Sequence, residues 1–431
     1  MSMWPTDKLN KQIEESGQLD LFQDLYGDGE AYQLALIRIS ELIEKADFEV
    51  THLFSAPGRT ELGGNHTDHN LGKVFCAAVR NDALAAVARR SDGRVIVRSQ
   101  GFNETFTVEV SDLDVRSSEQ GKTSSLIRGV IAGIKESGGE YGGFSAAITS
   151  DVEMGSGLSS SASFEVLIGT ILNQLYNRGE FPAIKIAQIA QYAENKYFGK
   201  PCGLMDQMAS AVGGILAIDF KDPSNLDIQK IDYNYSAENY KLLVINTGSN
   251  HADLTPAYAS IPYEMGAVAK LLGSDVLRTI NEADFQQNIV TIRRKLGDRA
   301  VLRAMHFYSE NVRVDQMVSA LGAGDFEAYL KVVSASGASS QNILQNSIPP
   351  GSDGQDQGLT YALGVSQLFF EEKGRGVARV HGGGFAGSIQ AYIHQDDFDD
   401  YKKLISNMIG IKALQVLSIR HHGAREILTL P

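Results

Sequence analysis

A glycine- and serine-rich segment, residues 155–163, most constrains what this chain of 431 residues can fold into. It consists of Gly155, Ser156, Gly157, Leu158, Ser159, Ser160, Ser161, Ala162 and Ser163. The apolar run that follows it, residues 164–172, has the character of a buried helix. Glycine lets a backbone turn tightly, and the first N–H groups of a helix together with its dipole attract phosphate. The segment therefore predicts a phosphate site. A flexible loop is the alternative, although the segment lies between two apolar runs.

The charge balance limits the partners that such a site can serve. The chain carries 39 Lys and Arg against 52 Asp and Glu, a net charge of −13. Phosphate contacts dominate the affinity for nucleic acids, so this balance argues against nucleic-acid binding and against anionic membranes. An anionic ligand must then be held by local basic groups, backbone dipoles or a metal ion. The composition predicts no particular protein partner.

Cysteine content and hydropathy indicate where the protein works. The two cysteines, Cys76 and Cys202, show no zinc-binding spacing. Few cysteines fit a reducing compartment, and the polar N-terminus lacks an apolar signal region. The sequence contains no run of about 18 apolar residues, so it predicts no transmembrane helix. We therefore expect a cytoplasmic protein that does not enter a membrane.

Helical and strand patterns alternate irregularly along the chain, which predicts an α+β fold. Residues 8–46 have helical periodicity, and residues 74–80 and 83–90 resemble two strands. The Asp92-Gly93 pair predicts a hairpin in which residues 95–97 begin the partner strand. The polar stretch 221–234 is the best candidate for a domain junction.

A turn at residues 58–70 concentrates hydrogen-bonding side chains between glycines. Arginine, histidine, aspartate and asparagine can donate or accept at fixed angles, as the hydroxyls of a polyol require. Two other interpretations stay open. The run 66–69, with two histidines around an aspartate, could bind a metal, or the whole turn could be a capped structural element.

Three further sites gain meaning only in combination. Residues 382–388 form a glycine cluster between two strand-like runs, as in a tight hairpin. In the segment 202–207, Asp206 is a lone carboxylate among small and apolar residues, and could be either a helix N-cap or a base. Glu194 ends a helical pattern, and by itself could lie on the surface.

Together, and in this order, these segments resemble the GHMP kinase family, and within it the galactokinases. Residues 58–70 resemble the galactokinase signature turn, and residues 155–163 match the family's phosphate loop. The segments 202–207 and 380–388 resemble two further family motifs, and weaker similarity extends over nearly the whole chain. The resemblance implies a two-domain GHMP kinase architecture, α+β throughout, with the active site in the interdomain cleft. We expect an N-terminal domain over 1–222 and a C-terminal domain over 223–431, with the last strand returning to the first domain.

The resemblance also implies a reaction, ATP-dependent phosphorylation of a sugar at its C1 hydroxyl, with galactose as the expected sugar. Asp206 would be the catalytic base and Arg59 would neutralise developing charge. Ser161 and Glu194 would hold Mg²⁺, and the N–H groups of residues 155–163 would bind the phosphates of ATP. The implied sugar contacts are Asn65, His66, Asp68, Gly203 and Tyr258.

Three departures from the family pattern concern sugar recognition. Asn65 stands where the family has glutamate, Glu61 where it has asparagine, and Ile261 where it has arginine. A neutral amide would tolerate an anionic sugar, so galacturonate or an amino sugar remains an alternative substrate. A non-catalytic sensor of galactose and ATP is another alternative, but known sensors lack the Ser-Ala pair that this chain has at 161–162. A kinase acting on mevalonate or homoserine would lack the turn at 66–68.

Overall fold

The computed structural model describes residues 6–102, 104–152, 157–249, 254–352 and 354–431. The α-helices are α1 (Thr6–Glu15), α2 (Leu19–Tyr26), α3 (Gly29–Lys45), α4 (Thr123–Glu136), α5 (Ser160–Asn177), α6 (Ala183–Tyr192), α7 (Met205–Val212), α8 (Thr255–Leu271), α9 (Glu282–Leu296), α10 (Asp298–Gly322), α11 (Phe326–Ser339), α12 (Gly358–Lys373) and α13 (Phe398–Met408). The strands are β1 (His52–Gly63), β2 (Lys73–Arg90), β3 (Arg94–Ser99), β4 (Thr105–Glu109), β5 (Gly143–Ser150), β6 (Ile215–Asp219), β7 (Asp227–Ile231), β8 (Tyr240–Asn246), β9 (Val377–His381), β10 (Ser388–His394), β11 (Leu414–Leu417) and β12 (Arg425–Thr429). A π-helical turn, Ala193–Phe198, continues α6, and a second one, Ser340–Leu344, continues α11.

The strands form two sheets. The first has the order β12-β1-β2-β5-β3-β4, with β6 also paired to β2 and β7 to β6, and the second has the order β11-β8-β10-β9. The predicted α+β class is confirmed. The last strand, β12, lies antiparallel to β1 in the first sheet. The domain boundary at residue 222 stays a prediction, and β7 and β12, which lie beyond it, belong to the first sheet.

The hairpin predicted at Asp92-Gly93 is wrong in its pairing. Strand β5 lies between β2 and β3, and β3 runs parallel to β5. Asp92 accepts hydrogen bonds from Arg90 and Arg94, which closes the short connection without pairing the two strands. Burial decides the pairing, because the apolar side chains of β3 and β5 enter one core.

The two strands predicted at 74–80 and 83–90 are a single strand, β2, with a break in its alternation. Even-numbered residues such as Val74 and Cys76 face the helical core at one end, and odd-numbered residues such as Ala83 and Val87 face it at the other. The register between β1 and β2 shifts between Pro57 and Arg59 at the same level. Such a bulge redirects a side chain, and here it lies at the residue that reaches the site described below.

Both faces of the first sheet are covered. One face packs against α4, α5, α6 and α7. The other is covered near Leu84 by α1–α3 and near Phe75 by α10 and α11. The helix predicted over 8–46 is therefore three helices, interrupted where Gly17 and Gly27 adopt positive φ. Within the described ranges, none of the helices has the length and apolar character needed to cross a bilayer.

Candidate active site

A cavity of about 520 Å³ opens where elements of both sheets meet. Its walls come from the end of β1 and the turn after it, the start of α5, the loop before α7, the start of α8 and the turn between β9 and β10. Apart from the start of α8, these are the four segments that the sequence singled out, so the fold brings them to one place.

Arg59 and Asp206 form a two-point ion pair at the centre of the cavity. Arg59 Nε lies 2.7 Å from Asp206 Oδ1, and Nη2 lies 2.7 Å from Oδ2. Burial alone would raise the pKa of Asp206, but the charge and hydrogen bonds of Arg59 hold this pKa below its ordinary value. Asp206 belongs to the first turn of α7 and makes no cap hydrogen bond there, so the structure gives no support to the N-cap interpretation. The carboxylate is ionised at neutral pH and can accept a proton.

The serine loop leads directly to this ion pair. Gly155 and Ser156 lie outside the described residues. Ser159 adopts a positive φ of 59°, and its hydroxyl donates to Asp206, while the Leu158 carbonyl accepts from the Arg59 backbone N–H at 3.0 Å. Helix α5 then begins at Ser160. Ser160 and Ser161 line the cavity, whereas the side chains of Ala162 and Ser163 are buried behind it. The positive end of α5 therefore opens into the cavity beside the carboxylate.

Glu194 lies in the π-helical turn after α6 and is only 3% exposed, so the interpretation that it lies on the surface is wrong. Its Oε1 accepts from Ser161 Oγ at 3.3 Å and from Lys200 Nζ at 3.2 Å, and its Oε2 accepts from Gln207 Nε2 at 2.9 Å. A hydroxyl and a carboxylate within one hydrogen bond of each other suit Mg²⁺, which prefers oxygen ligands. Ser161 and Glu194 therefore fit this ion, provided that Lys200 gives up its hydrogen bond to the Glu194 carboxylate.

The side chains predicted to contact a sugar line the opposite wall. Burial lowers the pKa of His66 to about 3, so the ring is neutral, and its Nε2–H donates to the Gly383 carbonyl at 2.8 Å. A Cβ placed on Gly203 would lie 1.6 Å from Asp68 Oδ2, so only glycine permits this approach. The Tyr258 hydroxyl donates to the Gly384 carbonyl at 2.9 Å. These side chains place several polar groups around a cavity that can hold a small molecule.

Asn65 borders the cavity but is almost fully buried. Its Nδ2 donates to both carboxylate oxygens of Glu61, at 3.0 and 3.1 Å, and to the Gly382 carbonyl at 2.7 Å. Its Oδ1 accepts from Ser340 and Asn346. Both the nitrogen and the oxygen of this amide are hydrogen-bonded to other groups of the protein. Asn65 is therefore better placed to support the cavity wall than to contact a ligand directly.

The structure does not support two other interpretations of the sequence. Ile261 is completely buried in an apolar core and does not line the cavity, so its difference from the family concerns packing. Among the described residues, no group of three or more His, Cys, Asp or Glu side chains is arranged to hold a metal, and this covers the run 66–69.

The cavity is also lined by His381 and Lys200, to which the sequence assigned no role. The ring Nε2 of His381 lies 3.0 Å from Thr60 Oγ1, and burial lowers its pKa, so this ring too is neutral. His381 lies within the segment 380–388, directly before its glycine cluster, and Lys200 lies two residues before Cys202, where the segment 202–207 begins. That adjacency was the available signal.

Comparison with known proteins points to one family. The GHMP kinases N terminal domain model matches residues 125–214, and the galactokinase galactose-binding signature matches residues 44–89. A galactokinase of Streptomyces coelicolor is 32% identical over 384 residues, which cover 87% of this chain and 94% of that protein. One of Glaesserella parasuis is 32% identical, covering 81% and 87%.

Solved structures agree in fold. Lactococcus lactis galactokinase complexed with galactose superposes with a TM-score of 0.74 at 23% identity, covering 96% of this chain and all of that one. Methanococcus jannaschii mevalonate kinase gives a TM-score of 0.60 at 14% identity, covering 86% of this chain and 98% of that one. The sequence relatives decide between galactokinase and mevalonate kinase, and the chain belongs to the galactokinase family of GHMP kinases.

Proposed function

We propose that this protein transfers the γ-phosphate of ATP to the C1 hydroxyl of galactose. The observation that carries the proposal is the Arg59–Asp206 ion pair, which lies directly beside the loop that begins α5 on the cavity wall. Phosphoryl transfer depends chiefly on positioning and charge compensation, and this site combines a fixed base, a fixed cation and a helix N-terminus.

In the proposed step, Asp206 accepts the proton of the C1 hydroxyl as the C1 oxygen attacks the γ-phosphorus. The bond between the γ-phosphorus and the bridging oxygen breaks, and ADP leaves with that electron pair. Arg59 holds the Asp206 carboxylate ionised and in place, and its guanidinium lies beside the attacking oxygen. The residue roles assigned here are proposals based on this geometry.

The phosphates would lie at the start of α5, where backbone N–H groups and the helix dipole favour anions. Ser161 and Glu194 would hold Mg²⁺, which when bound neutralises phosphate charge. His66 and Tyr258 hold the turn at residues 382–384 through its carbonyls, so they shape the wall against which the sugar would lie.

The alternatives receive less support from the same contacts. An anionic sugar such as galacturonate would meet the carboxylate of Asp68 on the cavity wall. The amide of Asn65, which suggested such a sugar, is engaged by the protein. A sensor without catalysis would not require the ion pair between Arg59 and Asp206. The expectation of a cytoplasmic location stays a prediction.

A substrate panel tests the proposal. Purified protein is incubated with ATP and Mg²⁺ and with galactose, glucose, galactosamine, galacturonate or mevalonate. We expect ADP release with galactose and a product phosphorylated at C1, identified by NMR. Strong turnover of another sugar with negligible turnover of galactose would overturn the substrate assignment, and no turnover of any substrate would favour the sensor.

A further inference from the structure

We propose that Lys200 is the phosphate-binding cation of the nucleotide site: without nucleotide its ammonium pairs with Glu194, and on binding it transfers to the phosphates of ATP. The inference rests on the proposed function, because it assumes that a nucleotide enters this cavity. It adds a nucleotide-binding residue that none of the motifs contains.

The charges of the cavity wall require such a cation. Among its described lining residues, the carboxylates are Glu61, Asp68 and Asp206, and Lys and Arg side chains are represented by Arg59 and Lys200. ATP would bring several negative charges into this surrounding. Because Glu61 is paired with the buried Arg379 and Asp206 with Arg59, the wall offers little positive charge to the phosphates unless Lys200 faces them.

Arg59 cannot fill this role without giving up another. Its Nε and Nη2 are bound to Asp206, and its Nη1 donates to the Gly157 carbonyl. The side chain is 7% exposed. Moving it toward phosphate would leave the proposed base unpaired in a buried position, which costs free energy.

Lys200 has the opposite character. Its side chain is 58% exposed, and its ammonium donates to Glu194 Oε1 at 3.2 Å. An ammonium carries three N–H donors on a flexible stem, so it can change partners at low cost. The backbone of Lys200 is held in place, because its N–H donates to the Glu194 carbonyl at 3.2 Å. The side chain can therefore move while its attachment stays at the cavity edge.

The position of the ammonium explains the exchange. It pairs with the same carboxylate oxygen that accepts from Ser161, the pair of groups that would hold Mg²⁺. An ammonium and a divalent cation repel each other, so the two compete for this oxygen. When metal and nucleotide arrive together, the displaced ammonium finds its new acceptors in the phosphate oxygens beside it.

Binding calorimetry with a nucleotide that cannot transfer phosphate tests this. The β,γ-imido analogue of ATP is titrated into the wild type and the Lys200→Met variant, with Mg²⁺ and with EDTA in its place. We expect the variant to bind the analogue about tenfold more weakly or worse with Mg²⁺, because the metal then displaces the ammonium toward the phosphates and the variant lacks this charged hydrogen bond. In EDTA the ammonium can stay with Glu194, and the loss should be smaller. Lys200→Arg should restore most of the affinity. Adenosine, which lacks phosphates, should bind wild type and variants equally.

The matched control is Lys196→Met. Lys196 lies in the π-helical turn that carries Glu194, is 51% exposed, and pairs with Glu136 and Tyr192 away from the cavity. Equal affinity of the analogue for wild type and Lys200→Met with Mg²⁺ would overturn the proposal, as would an equal loss with Lys196→Met. Failure to phosphorylate galactose in the substrate panel would overturn the proposed substrate while leaving this binding result intact.

Discussion

Asn65 donates to both carboxylate oxygens of Glu61 at 3.0 and 3.1 Å, within a buried pair that Arg379 completes by donating to Glu61 Oε1 at 2.6 Å. The family resemblance places glutamate at position 65 and asparagine at position 61. Here the two residue types have exchanged positions, and their contact joins them into one buried amide–carboxylate pair.

The exchange predicts a compensating double substitution. Asn65→Glu alone would place two buried carboxylates against each other and should lower the free energy of unfolding by about 3 kcal/mol or more. Adding Glu61→Asn restores one amide and one carboxylate, and should recover more than half of that loss. Urea denaturation of the wild type, both single variants and the double variant measures the coupling. A double variant as unstable as the sum of its parts would contradict the pairing.

Glu61 also predicts a pH effect on stability. Burial raises its pKa from 4.5 to about 7, although Arg379 and Asn65 act in the opposite direction. Because the pKa is higher in the folded protein, the proton bound to Glu61 stabilises the fold. This stabilisation is complete below pH 4.5 and is lost as pH rises through 7. The loss amounts to about 3 kcal/mol at 1.36 kcal/mol per pKa unit.

The variant Glu61→Gln should lack this dependence. Relative to the wild type, its free energy of unfolding should therefore rise by about 3 kcal/mol between pH 4.5 and pH 8. Chemical denaturation at the two pH values measures the difference. Glu41→Gln, at an exposed surface ion pair, is the control and should follow the wild type. An unchanged gap between Glu61→Gln and wild type would contradict the assignment.

The sequence predicted the segments of the site better than the partners of its side chains. Glycine turns and an apolar run determine local conformation, so the serine loop, the glycine cluster and the α+β class could be predicted. The partners of Asn65 and the burial of Glu194 and Ile261 depend on elements that are up to 317 residues apart in the chain. Local patterns contain no information on such contacts. The same reason explains the hairpin error, since the insertion of β5 depends on the whole sheet.

Gly203 predicts a selective loss of sugar binding. Because a Cβ would lie 1.6 Å from Asp68 Oδ2, Gly203→Ala must displace that carboxylate from the cavity wall. We expect KM for galactose to rise about tenfold or more, since a displacement of 1 Å in a binding site has large effects. Binding of the imido analogue of ATP should be unchanged. Gly364→Ala, in α12 with open space around it, is the control and should leave both properties unchanged. A parallel loss of nucleotide binding would contradict the assignment of Asp68 to the sugar.

Arg59 and Asp206 predict how activity depends on pH. Because Arg59 holds the pKa of Asp206 below its ordinary value of 3.8, the base stays ionised, and kcat/KM should show no loss from this group between pH 8 and pH 5. Arg59→Met should lower kcat about 100-fold and move the acid limb of the remaining activity to higher pH, since burial then acts on Asp206 without compensation. Arg59→Lys retains a charge and should keep the acid limb low. Measurement of kcat/KM from pH 4.5 to 8.5 compares the three proteins. An acid limb at the same pH in Arg59→Met and wild type would show that Asp206 is not the base whose ionisation Arg59 protects.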